Sequence, residues 1–272
     1  MQKFSVLMSL YIKEKAEYFD ESMQSILNQT VLPDEIVIVL DGPISKESMA
    51  VLNKYIHDNP SLINVVPLEN NVGLGLALRE GVFQCKNELI ARMDTDDVCR
   101  KDRFELQLRE FEKNPELDIC GSHIAEFEES IDRIVAKRTV PLTNDKIRKY
   151  QRKRDGFNHV SVMFKKSSVI AAGNYQSCLL MEDTLLWANM FNNGAIGSNI
   201  DDFLVYVRIG KEMYERRGGF SYYKKYKAGR KQVYKTGFIS WWDYKYTLIV
   251  QFIVAILPNK IRGFIFRKIL HK

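Results

Sequence analysis

The chain has 272 residues, 46% hydrophobic and 27% charged, which suits one large α/β domain or a domain with an appended segment and excludes a disordered chain. Its four cysteines, Cys85, Cys99, Cys120 and Cys178, show no paired spacing, so neither a zinc site nor a disulfide framework is expected. The net charge of +6 hides an asymmetry: from Phe203 onward 16 Lys and Arg face three acids, which points the C-terminal part toward something anionic.

Phe4 to Leu10 reads as a first strand, too short and too poorly flanked by cations to be a secretory signal, so the chain is expected to stay in the cytosol. Asp20 is expected to cap a helix carrying Met23, Ile26 and Leu27 on one side. Glu35 to Leu40 is a near-continuous apolar run, as in a parallel strand buried on both faces, and it ends in the turn Asp41-Gly42-Pro43. A helix with Met49, Leu52, Tyr55 and Ile56, a short strand from Ile63 to Val66 and the loop Glu69 to Gly73 follow. A third helix runs through Leu76 to Leu78, and Glu88 to Met93 is a fourth strand that stops at Asp94. This order implies a parallel sheet with right-handed crossovers, whose ligands bind beyond the carboxyl ends of the strands. Ser9-Leu10-Tyr11, Asp41-Gly42 and Asp94-Thr95-Asp96-Asp97 all fall at that edge.

A helix is expected from about Lys101 to Asn114, short strands around Ile119 to Ser122 and Val160 to Phe164, and a helix from about Asp183 to Asn192. One catalytic domain then spans residues 1–205, with halves of about 1–100 and 101–205, and residues 206–272 form a basic, aromatic-rich helical tail. The apolar run Tyr246 to Leu257 has 12 residues, short of the roughly 20 a membrane span needs. Beyond Pro258, Ile261, Phe264, Ile265, Ile269 and Leu270 alternate with Lys260, Arg262, Arg267 and Lys268, the pattern of an interfacial helix with a cationic face. An anionic membrane surface fits that stripe better than nucleic acid does. The sequence leaves open whether the tail packs on the domain or enters the membrane.

The chemistry concentrates at a few positions. Asp94 and Asp96, two apart in a non-helical turn past a strand, can hold Mn²⁺ or Mg²⁺ against a diphosphate, with Thr95 between them. Asp41 is either a turn-former or an acceptor for a base N–H, the uracil N3–H being the natural fit. Tyr11 can stack on that base, and Leu10 and Glu14 belong to the same nucleotide-sugar edge. Asn70 and Gly73 open a helix whose N-terminus favours phosphate or ribose, and Arg79 is placed to reach a phosphate or Asp94. Asp183 is either a helix cap or the base that takes a proton from an attacking hydroxyl, with Glu182 orienting it. His159 is either structural or part of the acceptor wall, and Arg216-Arg217, before Gly218-Gly219, is either a solvated charge run or a loop that closes on the diphosphate.

Together, Ser5 to Tyr11, Ser25 to Thr30, Asp34 to Pro43, Asn70 to Arg79, Ala91 to Asp97 and Met181 to Trp187 resemble family 2 glycosyltransferases of the GT-A fold, an α/β architecture with a Rossmann-like, mostly parallel sheet flanked by helices. The likeness is strongest to enzymes that build bacterial capsule, exopolysaccharide and O-antigen repeats. It implies inverting transfer from a UDP-sugar (galactose, glucose or N-acetylglucosamine) to a lipid-diphosphate-linked saccharide at the inner face of the membrane. It further implies Asp41 on uracil, Asp94 near ribose and diphosphate, Asp96 on the metal and Asp183 as base. Some relatives add a histidine metal ligand late in the domain, whereas Val207-Arg208-Ile209-Gly210 offers none. The Gln-x-x-Arg-Trp motif of processive synthases is also missing, which favours transfer of a single sugar. The competing readings are a nucleotidyltransferase of related fold, which would carry a basic Gly-rich loop where this chain has Leu10 to Glu14, and a catalytically silent scaffold.

Overall fold

A computed structural model describes residues 2–210 and 218–257. It opens with β1 (Phe4–Leu10), α1 (Ala16–Leu27), β2 (Glu35–Leu40), α2 (Lys46–Asp58), β3 (Ile63–Pro67), α3 (Leu74–Gln84) and β4 (Leu89–Arg92). The strands lie side by side in the order β3-β2-β1-β4, and every neighbouring pair is parallel. Successive β1 residues alternate between two cores. Val6 and Met8 pack with Phe19, Met23 and Ile26 of α1 and Leu52 of α2. Leu7 packs with Ala77, Leu78 and Val82 of α3. A strand between two helical layers has no wet face, which is why β2 is buried at all six positions and reads as one apolar run.

The second half departs from this pattern. After β5 (Val98–Cys99) and α4 (Arg103–Lys113) come β6 (Ile119–Phe127), β7 (Ile134–Arg138), α5 (Asn144–Gln151), β8 (Met163–Lys165), α6 (Lys166–Ala171), α7 (Glu182–Asn192) and β9 (Gly197–Arg208). β8 runs antiparallel to both β4 and β6. β6 is parallel to β9, while β5 pairs antiparallel with β9 and β7 with β6. The strand expected over Val160 to Phe164 is shorter, because His159–Ser161 is a single 3-10 turn. Ser161 uses its hydroxyl and amide on the Asn158 carbonyl, which holds the turn closed.

Two buried polar side chains of α4 tie the halves together. Arg103 donates to the carbonyls of Arg92 (2.7 Å) and Val162 (3.3 Å). Gln107 donates to those of Cys120 and Ser161, both at 2.9 Å. These bonds satisfy backbone acceptors at the end of β4, within β6 and just before β8.

Asp20 does not cap α1. The helix begins four residues earlier, after Lys15, and Asp20 instead accepts a 2.8 Å bond from the Tyr55 hydroxyl, tying α1 to α2.

The described part of the tail forms two helices, α8 (Gly219–Lys235) and α9 (Trp241–Ile256). They pack on the domain. Val233 and Ile239 bury against Cys178, Met181, Leu185 and Ala188 around α7, and Phe238 stacks on Phe191 at 5.7 Å. Ser240 and Asp243 form a reciprocal cap at the start of α9. Asp243 also accepts two bonds from Arg152, at 2.9 and 2.6 Å, beyond the end of α5. No helix among the described residues is long and apolar enough to cross a membrane. The expected interfacial helix over Ile261 to Leu270 and the pair Arg216-Arg217 lie outside the described residues.

Candidate active site

The carboxyl ends of β1 and β4 deliver Tyr11, Glu14 and the acidic triplet to one rim of a cleft of about 1410 Å³. Within the triplet two carboxylates, those of Asp94 and Asp97, have different protein partners. Asp94 is gripped by both terminal nitrogens of Arg92, one of them at 2.7 Å. Arg92 is only 2% exposed, so this pair sits where solvent screens little. Asp97 accepts the backbone N–H of Arg208 at 2.8 Å. The Arg208 guanidinium lies 4.0 Å above the Tyr18 ring, donates to the Asp96 carbonyl at 3.1 Å and pairs with Glu21. The segment that lacks the late histidine does border the triplet, and it brings a guanidinium there instead. Thr95 donates to Glu14 at 2.9 Å.

Asp94, Asp96 and Asp97 can bring one oxygen each within 4.8 Å of one another. Burial, together with the charges of Asp94 and Glu14, pushes the Asp96 carboxyl up to about 7. Asp97 is raised well above the usual carboxylate range by burial, Asp96 and Asp94. Oxygen donors crowded until they resist ionising are a set that a hard divalent cation relieves, so these residues fit such an ion.

Asp41, 4% exposed at the end of β2, ties two crossovers together. Its carboxylate accepts the N–H groups of Val72 (2.7 Å) and Gly73 (3.1 Å) and the amide of Asn71 (3.0 Å). Gly73 stands at φ +88°, a conformation that a side chain would strain, and caps α3. A carboxylate offers about four acceptor positions, so three of them already organise this loop.

At the facing side, α7 begins at Glu182. Glu182 and Thr184 line the cleft on either side of Asp183. Asp183 is pushed up to about 8 by burial, then by the charges of Asp155 and Glu182, against the pull of Arg92. Asp155 lies close because its carboxylate accepts the Thr184 hydroxyl. Burial also raises Glu182. α3 approaches α7 closely here: a side chain at Gly75, in the first turn of α3, would come within 2.9 Å of the Glu182 Cβ.

Tyr11, Glu14, Asp96 and Glu182 therefore share one cleft, and Asp94, Thr95 and Asp183 adjoin it. Asn70 and Arg79 are exposed on the neighbouring loop and helix. Leu10 is buried and contributes its carbonyl, which accepts the Asp41 N–H at 2.8 Å. The expected Arg79–Asp94 contact is replaced by the Arg92–Asp94 pair, since Arg79 faces solvent on α3 while Arg92 leaves β4 directly beneath the triplet. His159 bonds the Tyr175 hydroxyl at 2.8 Å and packs edge-on to Trp187. Burial, with Arg92 nearby, holds it well below its ordinary value and so neutral. Arg92, Arg208 and Asp155 escaped the sequence reading. Arg92 left a trace, a lone cation inside an apolar strand two residues before the triplet.

Comparison with known proteins identifies the family and the fold. Residues 5–172 match the family model "Glycosyl transferase family 2". The amylovoran biosynthesis glycosyltransferase AmsE of Erwinia amylovora is 39% identical over 97% of this chain and 98% of its own length. The UDP-Gal:alpha-D-GlcNAc-diphosphoundecaprenol beta-1,3-galactosyltransferase of Escherichia coli is 38% identical over 99% of this chain and 97% of its own. Among solved structures, the mannosyltransferase PcManGT from Pyrobaculum calidifontis, in complex with GDP-Man and Mn²⁺, superposes with a TM-score of 0.66 at 13% identity, covering 96% of this chain and 72% of that one. S. aureus TarS 1-349, in complex with UDP-GlcNAc, gives 0.64 at 17%, covering 96% and 69%. At such identities the likeness concerns the fold alone, and the fold is the GT-A type that the motifs implied. A family model over more than half of the chain, and relatives aligned along nearly all of it, leave one conclusion: the chain belongs to glycosyltransferase family 2.

Proposed function

We propose that the protein transfers a single sugar, with inversion, from a UDP-sugar carrying galactose, glucose or N-acetylglucosamine to a lipid-diphosphate-linked saccharide in bacterial surface polysaccharide synthesis. The observation that carries the reading is the shared cleft, lined on one side by Asp96 of a cation-ready triplet and on the other by Glu182 and Thr184, which flank Asp183, a carboxyl lifted to about 8. The named activity of the Escherichia relative supports the donor and acceptor classes, and the name of the Erwinia relative supports a role in polysaccharide synthesis.

Tyr11 stacks on the uracil, Asp41 accepts its N3–H through the remaining carboxylate position, and Glu14 and Thr95 stand at the donor edge, with Leu10 buried beneath them and holding the Asp41 N–H. Asn70 and Gly73 meet the ribose, and Arg79 the phosphates. Asp96, with Asp94 beside it, would hold Mn²⁺ or Mg²⁺, which when bound offsets charge gathering on the departing UDP. The acceptor hydroxyl oxygen attacks the anomeric carbon from the face opposite the diphosphate. The carbon–oxygen bond to UDP breaks, and the hydroxyl proton passes to an Asp183 oxygen while Glu182 orients the acceptor. A carboxylate whose proton affinity has been raised toward the working pH is a far stronger base than an ordinary aspartate. His159 supports this rim through Tyr175 and Trp187.

The protein works at the inner face of the plasma membrane, held there by its basic tail. Trp242, Tyr246, Ile249, Ile253 and Ile256, at helical spacing, are all exposed on α9 and give that surface an apolar face. Flotation of the full chain with anionic vesicles, lost on replacing these side chains by serine, tests the location. The activity is tested by measuring UDP release across UDP-sugars with a diphosphate-linked acceptor. Release of inorganic diphosphate from a nucleoside triphosphate would identify a nucleotidyltransferase instead.

A further inference from the structure

The cleft extends past Asp183, and its far wall is cationic. Arg138 at the end of β7, Lys153 and Arg154 after α5, and Lys225 on α8 line the same space as Glu182 and Thr184. Among the described residues Arg138, Arg154 and Lys225 have no carboxylate within ion-pair reach, and Lys153 has only Asp243, at 4.0 Å. The acids Glu128 and Glu129 border the cleft too, but they follow Phe127, whose carbonyl accepts from Ile209 beside Arg208, and so belong to the triplet's rim.

This wall begins beside the proposed base. The Arg138 guanidinium donates to the Asp155 carbonyl at 3.4 Å, and the Asp155 carboxylate takes the Thr184 hydroxyl next to Asp183. The wall is also fixed in place. Arg230, buried on α8, donates to the Arg152 carbonyl and at 3.1 Å to Thr247. Arg152 in turn holds Asp243 of α9. The α8–α9 pair thus clamps the stretch that presents Lys153 and Arg154.

Arg154 lies over the Tyr150 ring and Lys153 over that of Tyr246, contacts that leave their charge in place, and cations with no close carboxylate at the edge of a cleft recognise an anion. A saccharide whose hydroxyl meets Asp183 presents its anomeric substituent about one ring farther out, at this wall. The donor diphosphate belongs at the opposite rim, where the triplet repels a phosphate that arrives without a cation. We propose that Arg138, Lys153, Arg154 and Lys225 form a subsite for the diphosphate bridge of the acceptor, so that the protein selects diphosphate-linked saccharides over neutral glycosides. This rests on the reading that Asp183 receives the acceptor hydroxyl in this cleft.

The test uses the full chain and three soluble acceptors with one sugar in common, carried on a short alkyl chain through a diphosphate, a monophosphate or a plain glycosidic oxygen. UDP release is measured for the wild type and for R154A/K225A, both positions being exposed. The wild type should show a KM for the diphosphate acceptor at least about tenfold below that for the neutral one, as expected for charge-assisted hydrogen bonds. The double variant should lose that advantage, R154K/K225R should keep most of it, and the KM for the UDP-sugar should move less than twofold. Equal KM values for the charged and neutral acceptors would overturn the subsite while leaving the transfer reaction standing. So would a variant whose defect appears in the donor KM, or one that loses only its binding to phosphatidylglycerol vesicles. No transfer to any acceptor from any UDP-sugar, with UDP still bound, would overturn the functional reading and the subsite together.

Discussion

The carboxylates on the two sides of the cleft are held in opposite ways. Beneath the triplet, protein donors already grip two of them: Arg92 holds Asp94, and the Arg208 N–H holds Asp97. At the start of α7, Asp183 receives from the protein the Thr184 N–H at 2.8 Å and otherwise faces other acids, Glu182 and Asp155. The first arrangement fixes geometry. The second keeps a proton close to release at ordinary pH. A site that must hold a charged ligand still and also accept a proton benefits from this division, since gripping Asp183 as firmly as Asp94 would lower its proton affinity and weaken it as a base.

The sharpest way to break the division is Asp183→Asn. Transfer should fall by about 10²–10⁴ while UDP affinity, read by calorimetry, stays within twofold; a matching loss of UDP binding would show that the two sides are not separable. Asp96→Asn should lower kcat/KM about a hundredfold and abolish any response to added Mn²⁺, leaving the protonation behaviour of Asp183 in place. Arg92→Met tests the gripped side for stability. Removing one partner of a fully buried pair costs about 3–5 kcal/mol, but Asp94 is 36% exposed, so about 1–3 kcal/mol is expected here in denaturant unfolding.

The α7 side predicts a pH effect. With Asp183 raised to about 8, kcat/KM should climb with pH and level off near that value. Stability should do the reverse. The folded state holds this proton where the unfolded chain, near its model value of 3.8, has released it. The contribution is therefore complete below about 4 and is lost as pH rises toward 8. Asp183→Asn should flatten that decline in thermal unfolding. The smallest effect is expected at Trp242→Ser, within about 0.5 kcal/mol, because that ring is 76% exposed on α9; a larger loss would mean that the outer helix face is packed rather than free.

The part of this comparison that was legible in the sequence follows the local signals. β1, β2 and β4 announce themselves because strands buried on both faces must be apolar throughout, and the triplet stands out at the end of one. β9 carries Asn199, Asp201 and Asp202 and is only partly buried, so no period marks it. Whether α8 packs on the domain stayed open in the sequence because its buried contacts, Gly229, Arg230 and Val233, are few and answer to residues far back in the chain. Asp155 gains its role from Thr184, 29 positions further along the chain, and a local pattern cannot display it. Asp41 follows the end of β2 as expected, but the N–H groups it holds belong to a loop that no spacing rule connects to it.

The reversal at β8 has a practical consequence. Parallel strands send their trailing loops to the cleft, and β8, running the other way, sends its leading turn there too. The opposite edge is left with plain connections such as the exposed Pro60-Ser61 turn between α2 and β3. Extra chain inserted there lengthens a surface loop, at an entropic cost that grows only with the logarithm of its length. That turn is the natural place to graft a tag or a fluorescent reporter, or to tether the molecule to a surface with its cleft facing outward.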